Sequence, residues 1–164
     1  YKQIEELIKK AGNTTIHHGS TITNNTINLN SYGKEDLSHI TESFKTQLIK
    51  GPFKMIPKMI EAVHFNENKP ENNNISLPNK NGKYMKVFKS GKWTYCNKNE
   101  VIDELMENNY YILDSHYDDT GEGLSNIQKK RYKKFKDKYD EGDLEKETKD
   151  EINLVLLNSN NDNV

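Results

Sequence analysis

The residues best suited to chemistry stand in one polar stretch, HFNENKPENNNI, residues 64–75. His64 could act there as a general base, with Asn66, Glu71 and Asn72 helping to hold a divalent ion for phosphodiester cleavage. Such a site needs several ligands fixed around one metal, and this stretch has a single His with no second His or Cys pair nearby. The ligand count fails. The expectation is a tight turn built by Asn and Pro, with His64 hydrogen-bonded to a backbone group. Two other sets fall short in the same way. Asp114, His116, Asp118, Asp119 and Glu122 lack EF-hand spacing and read as an acidic helix-linking loop. His17 and His18 have no acidic or Cys neighbours. No catalytic residue, metal or cofactor is assigned, and the chain is expected not to be an enzyme.

A different chemistry belongs to residues 80–98. Between Glu71 and Glu100 there is no acid, while Lys80, Lys83, Lys86, Lys89, Lys92 and Lys98 accumulate among aromatic residues. If Ser90-Gly91 is a two-residue turn, Phe88 faces Trp93 and Lys86 faces Tyr95, with Val87–Thr94 and Met85–Cys96 on the other face. An aromatic and basic surface suits phosphate contact with base stacking. Large aromatics dominate small cores, so the rings of Phe88, Trp93 and Tyr95 are expected to be buried. The lysines would then be solvated edges still able to reach phosphate. Near the end of the chain, Lys129, Lys130, Arg131, Lys133, Lys134, Lys136 and Lys138 precede an acidic block from Asp140 to Glu151. Opposite blocks on an antiparallel helix pair would neutralise each other. Ile127, Arg131 (by its stem), Phe135 and Tyr139 would pack on Leu144, Thr148, Ile152 and Val155.

These groups need elements to position them. Residues 1–12 read as the end of a coiled coil, with Ile4, Leu7, Ile8 and Ala11 on one stripe and Gly12 as a stop. Residues 13–31 are rich in Thr, Asn and Ile and read as an extended oligomerisation segment or a linker. Ile16, Ile22, Ile27 and Leu29 would continue the intersubunit seam. A compact α+β domain is expected over 32–158. It has a helix capped by Asp36 to Ser38 and running to Lys50, and a second helix opened by Pro52. A strand at Ile75–Leu77, a turn at Asn81-Gly82, the hairpin, a helix from Lys98 and helices near 124–139 and 143–157 follow. Residues 159–164 read as a disordered tail.

With 164 residues, 32% hydrophobic and 30% charged, the chain can build only a modest core. Net charge is -1, so electrostatic arguments rest on local patches. The single Cys96 excludes an intrachain disulfide and a multi-Cys zinc cluster. No apolar run approaches the roughly 20 residues of a membrane span, and no signal peptide opens the sequence. Opening on Tyr1 instead of Met, the chain is read as part of something longer.

The runs LNSYGKEDLSHIT, HFNENKPENNNISLPN, GKWTYCNKNEVIDEL, ILDSHYDD and RYKKFKDKYDEGD, closing on LLN, extend over nearly the whole chain from about residue 13. Together this pattern resembles a C-terminal domain common in giant, mimivirus-like DNA viruses, whose members carry a zinc finger, a coiled coil and an Asn-rich stretch before it. The resemblance implies a viral origin, an upstream coiled coil, and a place in the host cytoplasm (virus factory) or the virion. It implies no reaction. No ligand of the zinc finger lies in this chain. The His64–Asn72 stretch also resembles, superficially, the metal motif of HNH-type nucleases.

The reading that follows is a non-catalytic oligomerisation and interaction domain of a viral, nucleic-acid-associated protein. Its partners would be its own copies, preferably as a trimer, and DNA or RNA, with no membrane. The first alternative is a nucleic-acid-binding module using Lys83, Lys86, Lys89, Lys92, Lys130, Arg131 and Lys134. The second is an HNH-like metal-dependent nuclease centred on His64.

Overall fold

Thr and Ile favour extended backbone, and strands β1 (Thr14–His17) and β2 (Ser20–Thr23) form an antiparallel ribbon in register Thr15↔Ile22 and Ile16↔Thr21. The structure, a computed structural model, describes the backbone of these two strands and residues 27–159. The expected stripe of Ile4, Leu7, Ile8 and Ala11, His18 and the tail 160–164 lie outside the described residues. Instead of one extended run, the Thr/Asn segment folds back on itself. Ile16 and Ile22 each pair with a threonine.

The remaining elements are helix α1 (Glu42–Lys50), a 3-10 turn at Pro52–Lys54, α2 (Met55–His64) and a second 3-10 turn at Pro70–Asn72. Strands β3 (Ile75–Ser76), β4 (Tyr84–Lys89) and β5 (Lys92–Asn97) follow, then α3 (Lys98–Thr120), α4 (Asn126–Asp140) and α5 (Glu145–Ser159). The architecture is α+β, with a three-stranded antiparallel sheet in the order β3-β4-β5. Helix α2 is apolar on most sides and lies among α1, α3 and α5, with Met55, Met59 and Ile60 fully buried. Helix α3 also backs the β4–β5 hairpin. No helix among the described residues is long and apolar enough to cross a membrane.

Local chemistry sets the boundaries. Helix α1 starts later than expected because Thr41 is its cap, accepting the Phe44 amide at 3.0 Å. Asp36 is committed elsewhere: its carboxylate accepts the Ser38 amide at 2.9 Å and the Lys69 ammonium at 2.8 Å. Asn97 caps α3 by accepting from the Glu100 amide, and Ser125 with Gln128 forms a reciprocal capping box on α4.

The two charged C-terminal helices do not form the expected neutralising pair. Helix α4 packs on α1 and the Pro52–Lys54 turn, whereas α5 packs on α2 and α3. Ile127, expected in their seam, is 72% exposed. The charges also find other partners: Lys136 meets Asp114, Lys149 meets Asp103 and Glu145, Glu151 meets Lys54, and Lys133 meets Asp137 in its own helix. Magnitudes explain the choice. Surface ion pairs contribute about 0–1 kcal/mol each. Ring pairs add about 0.5–1.5 kcal/mol beyond the area they bury. Tyr132 stacks on Tyr117 at 3.8 Å between ring centres, Tyr139 stacks on Tyr110 at 4.0 Å, and Phe135 meets Phe53 edge-on at 5.6 Å. Aromatic packing against α3 and the Pro52 turn therefore decides where α4 lies.

Candidate nucleic-acid interface

The 64–74 stretch folds as a closed polar network. Asn72 and Asn74 are fully buried. The Asn72 side-chain oxygen accepts from the Asn30 side chain at 2.9 Å and the Asp36 amide at 3.0 Å, while its nitrogen donates to the Asp36 carbonyl at 2.7 Å. Asn74 donates to the Asn30 carbonyl at 3.1 Å and to Glu35 at 2.9 Å. Its side-chain oxygen accepts the Nδ1 proton of buried His64 at 2.8 Å, and the Asn72 carbonyl lies 3.3 Å from the same nitrogen. Burial holds the His64 pKa below its ordinary value, so the ring is neutral. Asn66 is spent on a turn, accepting the Asn68 amide at 2.9 Å. The adjoining cavity, lined by Tyr32, Glu35, His64 and Leu105, measures about 70 Å³ and cannot admit a nucleotide. His64, Asn66 and Asn72 of the nuclease-like motif are thus engaged in holding the chain together, whereas Glu71 lies 3.7 Å from the Lys69 ammonium and keeps its buried Oε2 without a hydrogen-bond partner among the described residues.

What this network fastens is the segment before the domain. The Asn30 amide donates to the Glu71 carbonyl and the Tyr32 amide to the Phe88 carbonyl, both at 2.7 Å. Ile27 and Leu29 are half-buried and border a groove of about 280 Å³ shared with Pro70, Ile75 and Trp93. These two residues, expected in an intersubunit seam, lie along a groove of their own chain.

The acidic set does not converge either. His116 points at α1, with Nε2 at 2.8 Å from the Thr46 hydroxyl and Nδ1 at 3.1 Å from Glu42. Asp114 accepts from Tyr132 at 2.8 Å and from Lys136 at 2.9 Å. Among the described residues no three His, Cys, Asp or Glu side chains gather around one point.

The hairpin is the open surface. Ser90 (φ 52°) and Gly91 (φ 77°) both occupy the left-handed region that a two-residue turn of matching twist requires. The register is the expected one, with Phe88↔Trp93, Val87↔Thr94, Lys86↔Tyr95 and Met85↔Cys96. Its orientation is the reverse of expectation. Met85, Val87 and, across β3, Ile75 are buried, leaving Tyr84 58%, Trp93 42% and Tyr95 64% exposed. Alternation allows one face only against α3. The aliphatic row takes it, because the core already draws its large rings from Tyr110, Tyr132 and Phe135 on α3 and α4.

The outward face thus carries Tyr84, Lys86 and Phe88 beside Asn97, Tyr95 and Trp93. The Lys86 ammonium sits 5.2 Å from the centre of the Tyr95 ring, and Phe88 braces Trp93 edge-on at 5.7 Å. Among the described residues, none of Lys80, Lys83, Lys86, Lys89, Lys92 and Lys98 makes an ion pair. Lys89 reaches only the Cys96 sulfur at 3.6 Å, and Lys98 the Lys80 carbonyl at 3.5 Å.

On α4, Lys130 and Lys134 are exposed and, with Lys138, recur every fourth residue along one stripe. Arg131 has a structural role instead, donating at 3.2 Å to the Lys50 carbonyl that ends α1. Tyr84, absent from the expected site, is in phase with Lys86 and Phe88 and was readable from alternation alone.

Comparison with protein-family models, with curated proteins and with solved structures finds no match for this chain.

Proposed function

We propose that this chain is a non-catalytic interaction domain that binds nucleic acid through the outward face of the β4–β5 hairpin. The observation that carries the reading is the set of acid-free lysines around an exposed aromatic sheet face. Elsewhere lysines such as Lys45, Lys54, Lys69, Lys136 and Lys149 are matched with carboxylates. Unmatched ammonium groups exchange counterions for phosphates, and the resulting affinity depends steeply on salt. The Lys130–Lys134–Lys138 stripe offers a further phosphate contact on α4.

The test is fluorescence anisotropy with a labelled mixed-sequence single strand, using the whole chain. Four phosphate contacts predict roughly a 50-fold loss of affinity between 50 and 200 mM salt. Combined replacement of Lys83, Lys86, Lys89 and Lys92 by Glu removes the binding. Absence of binding at 50 mM salt, or binding unchanged by the four substitutions, refutes the proposal.

A second reading is self-association through residues 1–23. The β1–β2 ribbon pairs with no other strand among the described residues, and an isolated two-stranded hairpin is marginal in water. Sedimentation of 1–164 beside 27–164 tests it. Two monomers end that reading.

A further inference from the structure

The lysines say only that phosphate is welcome; the rings say in which form the nucleic acid arrives. Across the hairpin the outward face is organised in three rows, Tyr84↔Asn97, Lys86↔Tyr95 and Phe88↔Trp93. Each row presents one exposed ring, Tyr84, Tyr95 and Trp93 in turn. Successive rows are two residues apart, so they repeat about every 6.5–7 Å and span about 13 Å. Bases stacked within a duplex repeat at about 3.4 Å. Bases laid on rings spaced at about twice that distance are unstacked from one another, which a duplex does not allow and an unpaired strand does.

Resting on the proposed nucleic-acid reading, we infer that the ligand is a single strand, and that Tyr84, Tyr95 and Trp93 each take one base of a run of about three nucleotides. Lys86 is the one hairpin lysine in phase with the rings. Lys83, Lys89 and Lys92 alternate to the Met85–Cys96 face, where Lys89 meets the Cys96 sulfur. They line the rim at the two ends of the path, where phosphates passing over the edge meet their ammonium groups. Lys86, already over the Tyr95 ring, gives way to the arriving base and turns to its phosphate. Phe88 keeps the indole fixed, which lowers the ordering cost of stacking on it. The recognising groups are ring faces and ammonium ions, so DNA and RNA strands bind alike and base identity matters little.

Trp93 is the only tryptophan in the chain, so intrinsic fluorescence reports directly on this surface. The experiment titrates the whole chain with oligo-dT and oligo-U of two to eight nucleotides, and with a blunt duplex matched in length, at one low salt concentration. Single strands quench Trp93, and affinity rises steeply to about three nucleotides and slowly thereafter. The duplex binds more weakly and leaves the emission unchanged. Tyr95→Ala weakens single-strand binding by roughly 10- to 100-fold, whereas Tyr95→Phe, which keeps the ring, binds as the parent does. If duplex and single strand bind equally, or Tyr95→Ala binds as the parent does while the four Lys→Glu substitutions abolish binding, the stacking inference falls and the nucleic-acid reading stands. If neither ligand binds, both fall.

Discussion

Two polar regions of this molecule exchange the roles their compositions suggest. The 64–74 stretch has the residue types of a metal site yet is turned inward, with Asn72, Asn74 and His64 hydrogen-bonded to one another and to the segment 30–36. The 84–97 hairpin has the large rings of a core yet turns them outward, placing the smaller Met85 and Val87 against α3. The difference is one of partners. A buried amide must find every hydrogen bond inside the protein, so it is drawn into networks and becomes unavailable for other work. A ring has no such debt, and can be left outside wherever other rings have filled the core.

The comparison can be tested from its strongest consequence downward. Asn72→Ala strips the buried clasp of three hydrogen bonds and leaves their partners unmatched. A loss of about 3 kcal/mol in urea unfolding is expected; a change under 1 kcal/mol would mean the clasp is not closed. On the open side, replacing Lys83, Lys86, Lys89 and Lys92 by Glu abolishes nucleic-acid binding, while the urea midpoint stays near that of the parent.

A pH series then separates the two regions again. Burial keeps the His64 pKa below its ordinary 6.5, against the milder opposing pull of Glu35 and the bonds from Asn74 and Asn72. Between that lowered value and 6.5, the unfolded chain binds a proton that the folded chain refuses. Stability is therefore complete above pH 6.5 and declines as pH falls toward the folded value. Unfolding free energies of the parent and His64→Gln, measured from pH 7.5 to 5, should converge on acidification. His39 and His116 are common to both proteins, so parallel curves would remove His64 from the account. The smallest effect belongs to the exposed rings: Tyr84→Ala and Tyr95→Ala should each change stability by no more than about 0.5 kcal/mol.

How much of this could be read from the sequence differs by element. The hairpin register was legible to the residue, because Ser90-Gly91 admits one turn and alternation does the rest. Which face it buries was not, since that depends on rings supplied from α3 and α4, the nearest of them Tyr110, well beyond the hairpin along the chain. The α4 and α5 helices were visible as charge blocks, but charge misassigned their neighbours; stacking of Tyr132 on Tyr117 and of Tyr139 on Tyr110 decides them. Thr41 caps α1 where Asp36 to Ser38 is the expected cap, and only the position of Lys69, 33 residues on, shows that Asp36 is engaged. For His64, the missing ligands were countable in advance. Its bonds to Asn74 and its place in a clasp around Asn30 required the fold.

The clasp also fixes where the first part of the chain leaves the domain. Ile27 and Leu29 share a groove with Trp93, so the described chain enters the domain at the rim of the aromatic face instead of on its far side. A short tether holds whatever it carries at an effective concentration in the millimolar range. Any segment joined there meets the hairpin far more often than a free molecule would. A strand held by the rings and a partner bound beside Ile27 and Leu29 would thereby be coupled through proximity alone, with no change of shape required of the domain between them.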